Sequence, residues 1–282
     1  MYKIVRKKVL NPTVTQMEIE APLVAAKARP GQFIILRVDD NGERIPLTVA
    51  GTDADEGTVK IIFQIVGGTT ELLNHKNEGE YIQDFAGPLG RATELDGLKK
   101  VCIIGGGVGC AIAMPVAQKL HELGAEVTSI IGFRSSDLVI LEDEFKACSD
   151  RLKVMTDDGS YGTKGNVTMP LKEMLEAGKQ FDEIITIGPL IMMKFVVAAA
   201  KPFGIPVTVS MNPIMIDGTG MCGGCRLTLN QDGKKVTKFA CVDGPDFNGY
   251  EIDFDEAMSR GRMYAEFERH AYEEACNLFR KV

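Results

Sequence analysis

The 282-residue chain is 45% hydrophobic and 25% charged, enough for about two domains of ordinary size and the wrong composition for a disordered or disulfide-stapled polypeptide. Its 32 Lys and Arg against 39 Asp and Glu leave a net charge of −7, which argues against nucleic acid and anionic membrane as partners, since either calls for a basic face. The opening MYKIVRKKVL has no apolar core or cleavage site behind its basic residues, and the most apolar stretch, 184–200, is broken by Pro189 and Lys194, so a cytoplasmic protein with no membrane span is expected.

Residues 1–97 hold the segments VRKKVL, TQMEIE, QFIILRV, IPLTVA and VKIIFQIV, separated by Pro-Gly, Asn-Gly and Asp-Glu-Gly. Short alternating runs between turn signals predict a small antiparallel β-barrel or sandwich. Gly67-Gly68-Thr69-Thr70-Glu71 breaks the alternation and reads as a tight loop opening a short helix. From 98 to 211 strand-like and helix-like runs alternate: VCIIGGG, EVTSIIGF, RLKVMT, FDEIITIG and IPVTVSM are interleaved with helical segments such as LEDEFKAC and PLKEMLEAG. Strands this apolar, alternating with helices, predict a parallel sheet covered on both faces, a doubly wound α/β domain. Residues 212–250 are rich in Gly, Cys, Asp and Asn and lack periodicity, which predicts an irregular third region. The tail, 251–282, is charged and helix-prone. Its Met258, Met263, Phe267, Tyr272 and Phe279 are expected to form an apolar stripe that packs on its own domain or on a partner.

Among seven cysteines, Cys222, Cys225 and Cys241 crowd together, which in a reducing compartment suggests a metal rather than disulfides. The plant-type 2Fe-2S spacing is C-x4-C-x2-C with a distant fourth Cys. Here Asp217 stands in the first position and Cys222, Cys225 and Cys241 supply the rest. A carboxylate can ligate iron, so a three-Cys, one-Asp 2Fe-2S cluster is one reading, and zinc held by the same four residues is the other. Gly105-Gly106-Gly107-Val108-Gly109 lies between a predicted strand and a predicted helix, where glycines let the backbone approach a pyrophosphate and the helix N-terminus favours its charge. Cys110 takes the last place of G-x-G-x-x-G, and Arg134 rather than an acidic residue follows the next strand, which suits a 2′-phosphate. A strand-to-helix turn that binds nothing is the plainer alternative. Arg44 and Thr48 on a barrel strand read either as surface and strand residues or, with Thr69 and Thr70, as phosphate-site groups. His75, His121 and His270 show no H-E-x-x-H pairing, and no G-x-S-x-G elbow is present, so hydrolytic chemistry is not expected.

The order of these motifs says more than any one of them. A barrel bearing R-x-P-x-T at 44–48, GPLG at 87–90, GGGVG at 105–109, DDGS at 157–160, Gly188-Pro189 and the Cys loop together resemble the ferredoxin-reductase superfamily. Within it the whole chain is similar to the electron-transfer subunits of dihydroorotate dehydrogenase, sulfide dehydrogenase and NADH-dependent ferredoxin:NADP oxidoreductase. The resemblance implies an antiparallel β-barrel FAD domain over 1–97, an α/β doubly wound domain for NAD(H) over 98–211, a Cys-rich 2Fe-2S subdomain over 212–250 and a C-terminal helix over 251–282. It implies an oxidoreductase subunit that takes hydride from NADH onto FAD and passes single electrons through the cluster. Their destination would be a larger FAD/4Fe-4S subunit in a heterodimer, with ferredoxin served indirectly. Arg44 would then contact the pyrophosphate, Pro46, Leu47, Gln64, Ile65 and Val66 the flavin, and Thr48 the isoalloxazine edge near N5. Thr69 and Thr70 would sit at the pyrophosphate. Gly105, Gly107, Val108, Gly109, Asp157, Asp158, Gly188 and Pro189 would form the nicotinamide side. Asp217 would be a changed ligand, not a lost one. The arginine stands one place early against the family's usual R-x-Y-S, and there is no Tyr there to stack on the flavin. Attachment to dihydroorotate dehydrogenase or to sulfide dehydrogenase are the neighbouring readings. A colourless, zinc-stapled nucleotide-binding module is the reading from a different class.

Overall fold

The structure, a computed structural model, describes residues 1–280; the side chains of residues 278–280 lie outside the description, and with them the Phe279 member of the expected stripe. The first sheet has seven strands: β1 (Tyr2–Asn11), β2 (Val14–Glu20), β3 (Phe33–Arg37), β4 (Arg44–Asp53), β5 (Thr58–Gln64), β6 (Tyr81–Ile82) and β7 (Asp84–Leu89). Helices α1 (Pro22–Ala25) and α2 (Gly68–His75) interrupt the series. The order is β6-β1-β2-β5-β4-β3-β7, with every neighbour antiparallel. Alternation sets the inner face: the cross-strand pairs Ile19–Val59 and Met17–Ile61 are wholly buried. The edge strands β6 and β7 are joined by Gln83 alone, so the sheet has to curl into a nearly closed barrel. β4 turns the corner. Its residues Arg44–Thr48 pair with β3, whereas pairing with β5 begins at Val49, with a register shift before Gly51. Residues 44–48 therefore have one strand edge left open.

The second sheet contains the parallel strands β8 (Lys100–Gly106), β9 (Glu126–Phe133), β10 (Arg151–Thr156), β11 (Thr163–Lys164), β12 (Glu183–Ile187) and β13 (Val207–Ser210). Between them run α3 (Gly109–Glu122), α4 (Glu142–Ala147), α5 (Thr168–Glu176) and α6 (Leu190–Ala200). The order β11-β10-β9-β8-β12-β13 reverses direction between β8 and β12. That is the topological switch point, where open α/β sheets leave a crevice at the carboxyl ends of their strands. Gly105–Gly109 and Gly188-Pro189 both stand there. The two sheets share a core: Val14 and Ile62 of the barrel are buried with Val116, Ala117 and Leu120 of α3.

Residues 212–250 are more regular than their composition suggests. They form a hairpin of β14 (Arg226–Gln231) and β15 (Lys234–Phe239), a short α7 (Ala240–Asp243) and β16 (Asp246–Asn248), which pairs antiparallel with β13 and edges the second sheet. The irregularity lies in the turns. Asp232 and Gly233 have φ of 50° and 76°, the left-handed pair that a two-residue hairpin turn requires. Leu227 and Leu229 bury the hairpin's inner face.

The tail forms α8 (Phe254–Arg260) and α9 (Ala265–Arg280). The expected stripe is only partly buried: Met258 and Tyr272 are half-buried and Met263 and Phe267 exposed, while Ala275 is buried and Ala271 makes the close approach, against the start of α2. Small residues let the two helix backbones come together, a route that a search for large apolar side chains overlooks.

Asp246 lies at the seam of barrel and α/β sheet. Its Oδ2 accepts from the Thr93 hydroxyl at 2.6 Å, while its buried Oδ1 has no partner within hydrogen-bond geometry among the described residues, the Ser210 side chain lying nearby. Burial pushes this carboxyl above the usual carboxylate range, outweighing the Thr93 hydroxyl. The folded chain thus keeps a proton that the unfolded chain releases at ordinary carboxylate pH, so stability falls as pH rises from that range through the raised folded value. Asp246→Asn is expected to gain Tm over the parent at pH 8 and to lose the advantage near pH 4. A Tm difference that does not change with pH would assign Asp246 no such role.

Candidate functional site

A cavity of about 920 Å³ opens between the barrel, α3, the segment Ser210–Ile216 and α9. Its size is that of a pocket for a large organic ligand. Arg44, Pro46, Leu47, Thr48, Gln64, Val66, Thr69, Thr70 and Val108 all line it, so residues distant in sequence share one wall. Ile65 does not. It packs on the barrel core, because side chains alternate and Gln64 and Val66 take the other side. Met211 to Ile216, Tyr264 just before α9, and Phe267, Glu268 and Ala271 of α9 also line the cavity; of these the sequence had marked Phe267, as part of the tail stripe.

The open edge of residues 44–48 leaves backbone polar groups facing ligand space. The Arg44 guanidinium is half exposed and stands 3.8 Å from an Asp84 carboxylate that Arg37 already holds at 2.7 Å. An exposed pair at that distance is weak, so Arg44 keeps charge to offer an anion. Thr70 has a local task. Its hydroxyl accepts from the backbone N–H of Val66 and Gly67, each at 3.0 Å, and donates to the Gly67 carbonyl at 2.9 Å, capping α2. Thr70→Val leaves these two N–H groups without that acceptor and is expected to lower stability by about 1–2 kcal/mol, read as a Tm drop. An unchanged Tm would show that water replaces the cap.

At the switch point the glycines differ in kind. A Cβ on Gly109 would stand 2.4 Å from the Ile187 carbonyl oxygen, and one on Gly106 2.3 Å from Met192 Sδ, so both are packing glycines. A Cβ on Gly188 would stand 2.7 Å from Met192 Cε and 3.1 Å from the Gly106 backbone nitrogen, so Gly188 is a packing glycine as well. Gly105 sits against Cys110, a Cβ there meeting its Sγ at 2.8 Å, and Pro189 precedes α6. Gly107 has φ of 56° and open space where a Cβ would be, which leaves its backbone free for a ligand to approach. On the next loops Asp158 accepts from Ser160 N–H and Oγ at 2.9 and 2.7 Å, bonds that hold its carboxyl below the usual range. Asp157 and Arg134 are exposed beside it, and the Asp157 N–H donates to the Phe133 carbonyl.

The Cys loop follows Ile216 directly. Cys225 and Cys241 are buried with their Sγ atoms 3.2 Å apart, and Cys222 is exposed; all are free thiols. Backbone N–H groups point at sulfur, Gly224 at Cys222 Sγ and Cys241 at Cys225 Sγ, each at 3.4 Å. The Asp217 carboxylate accepts from the N–H groups of Thr219 and Cys222, both at 2.8 Å, which keep it below the usual carboxylate range. Among the described residues no three ligands converge on one point: the structure joins Cys225 and Cys241 and turns Asp217 onto the loop backbone. The donor set still fits a cationic cluster. Burial and the adjoining Cys225 push the Cys241 thiol up to about 12, so this thiol stays protonated until a metal displaces its proton. The N–H···S contacts are of the kind that tune cluster thiolates.

Comparison with known proteins completes the picture. The family model "Iron-sulfur cluster binding domain of dihydroorotate dehydrogenase B" matches residues 212–253. A dihydroorotate dehydrogenase B electron transfer subunit homolog of Thermotoga maritima is 46% identical over 271 residues, 96% of this chain and 94% of that protein. The electron transfer subunit of Streptococcus pneumoniae is 32% identical over 87% of this chain and 97% of its own length. The chain belongs to the dihydroorotate dehydrogenase B electron-transfer-subunit family. As a member of that family it is an oxidoreductase subunit whose redox groups are FAD and an iron–sulfur cluster. A chain from the structure of an NADH-dependent reduced ferredoxin–NADP oxidoreductase superposes with a TM-score of 0.90 at 46% identity, over 97% of each chain. A ferredoxin reductase of a carbazole dioxygenase shares the fold, with a TM-score of 0.62 at 18% identity. Among the described residues no helix is long and apolar enough to cross a membrane.

Proposed function

We propose that this chain is the NADH-oxidising electron-transfer subunit of a cytoplasmic ferredoxin:NADP oxidoreductase. Residues 1–97 hold FAD, 98–211 hold NAD(H), 212–250 hold a 2Fe-2S cluster through Asp217, Cys222, Cys225 and Cys241, and 251–282 form the tail. Electrons leave to a larger FAD/4Fe-4S subunit in a heterodimer, and ferredoxin is served through it. The observation that carries this reading is continuity: Ser210–Ile216 lines the flavin-sized cavity, and the next residue is Asp217. NADH gives up two electrons with its hydride and a 2Fe-2S cluster takes one, and bound FAD supplies the conversion between them.

The protein's own part is placement. Val108 and Ile112 bring the glycine turn to the cavity wall, so a nicotinamide held at that turn would meet a flavin held in the cavity. Arg44 and the capped start of α2 take the pyrophosphate charge. Apolar Met211, Pro213 and Met215 hold water away from the route to the Cys loop. No side-chain acid or base is needed to move the hydride.

Anaerobic titration tests this. NADH is expected to bleach the bound flavin, and a reduced 2Fe-2S EPR signal to follow at lower concentrations than with NADPH. Saturation by NADPH at the lower concentration would reverse the nucleotide assignment and bring Arg134 forward. The relatives named as dihydroorotate dehydrogenase subunits favour a second reading, the same module on a dihydroorotate-oxidising partner, and recovery of that partner in a pull-down would select it.

A further inference from the structure

Tyr264, Phe267, Glu268 and Ala271 stand at i, i+3, i+4 and i+7, so they share one helical side, and all four line the cavity. The chain runs from the cluster loop to the phosphate turn. At the end of α8, Arg260 Nη2 donates to the Gly224 carbonyl at 3.4 Å; further on, Ala271 lies on the first residue of α2, where a Cβ on Gly68 would stand 3.1 Å from the Ala271 carbonyl oxygen. The tail is thus tied at both ends of the cavity, by the Arg260 side chain of α8 at the cluster loop and by the Ala271 backbone of α9 at the phosphate turn. Between them, Tyr264 and Phe267 are 52% and 66% exposed although they belong to the cavity wall. Two flat rings beside a pocket already lined by Leu47, Val66 and Ile214 offer stacking surface to a planar ligand.

We propose that α9 is the outer wall of the FAD site, with Tyr264 and Phe267 packing on a ring of the bound dinucleotide and Gly68 making room for the helix against the phosphate turn. This rests on the reading of the cavity as the FAD site. It gives the C-terminal helix a ligand-binding role instead of a purely packing or partner-docking one.

The test uses the full chain stripped of flavin, its Tyr264→Ala/Phe267→Ala double variant, and fluorescence titration with FAD and with FMN, which lacks the adenosine half. Both side chains are exposed, so the double variant is expected to fold with an unchanged ligand-free Tm. Its Kd for FAD is expected to rise by roughly tenfold or more, the scale of a lost ring contact. A loss confined to FAD places the pair on the adenine, and a loss shared by FMN places it on the isoalloxazine; either supports the proposal. Gly68→Val, which forces the helix away, is expected to weaken FAD in the same direction. An FAD Kd unchanged in both variants would overturn it. A parent chain that binds no FAD would instead remove the flavin reading on which it stands.

Discussion

Cys225→Ser is expected to strip the iron from the chain and to leave its flavin in place. Cys225 is buried against Cys241, 3.2 Å between sulfurs, and its Sγ accepts the Cys241 N–H, so it stands at the centre of the donor set. A serine hydroxyl there is a poor ligand for iron and is not ionised at neutral pH. The flavin cavity does not include Cys225. NADH should therefore still bleach the flavin, while electron delivery to the larger subunit falls by more than the roughly 10–100-fold that an outer-sphere change costs at a metal site. Asp217→Ala gives the milder form of the same result. It removes the proposed fourth ligand and also the acceptor that orders Thr219 and Cys222, so the cluster should be lost or altered in its EPR signal with flavin retained. Iron, labile sulfide and flavin content of the two variants check both statements. An unaltered cluster in Asp217→Ala would assign the fourth position to another residue.

The second large effect belongs to Gly109→Ala. The added methyl would stand 2.4 Å from the Ile187 carbonyl oxygen and 2.8 Å from the Gly188 Cα, and both are backbone atoms with no rotamer to yield. Overpacking of this kind costs about 1–3 kcal/mol or more, and it parts β8 from β12 at the switch point. A Tm drop of roughly 2–5 °C or more is expected for a chain of this size, with NADH affinity at least about tenfold weaker. Gly107→Ala separates structure from binding. Nothing lies near its Cβ position, so its stability cost is the left-handed φ of 56° alone, about 1–2 kcal/mol. Its effect should appear mainly as a weaker NADH Kd. Equal Tm losses in the two variants would contradict the division between a packing glycine and a binding one.

What the sequence made legible was local. Alternation in TQMEIE and VKIIFQIV identified β2 and β5, and the strand–GGGVG–helix order identified the turn from β8 into α3, because each depends on neighbours in the chain. The side taken by Ile65 was also available, since it sits between Gln64 and Val66 where the extended chain runs on past the end of β5. Other features depend on distant partners. β16 is a strand because it meets the free edge of β13, and Asp246 titrates abnormally because barrel and α/β sheet close over it. Ser210–Ile216 carries no motif, yet it lines the flavin cavity through its place between β13 and the Cys loop. On α9 the pattern of large apolar residues found the right side through Phe267, which lines the cavity four residues before Ala271, but missed the residues that make the buried contact. Ala271 and Ala275 do the packing, and alanine leaves little trace in a search for hydrophobic periodicity.

The central claim, that a flavin and an iron–sulfur cluster share this chain, is tested most directly by anaerobic purification followed by metal, sulfide and flavin analysis and EPR after reduction. One FAD with about two iron and two labile sulfide per chain, and a reduced 2Fe-2S signal, is the expected result. Bound zinc with neither flavin nor labile sulfide would contradict it and leave a nucleotide-binding module stapled by the same four residues.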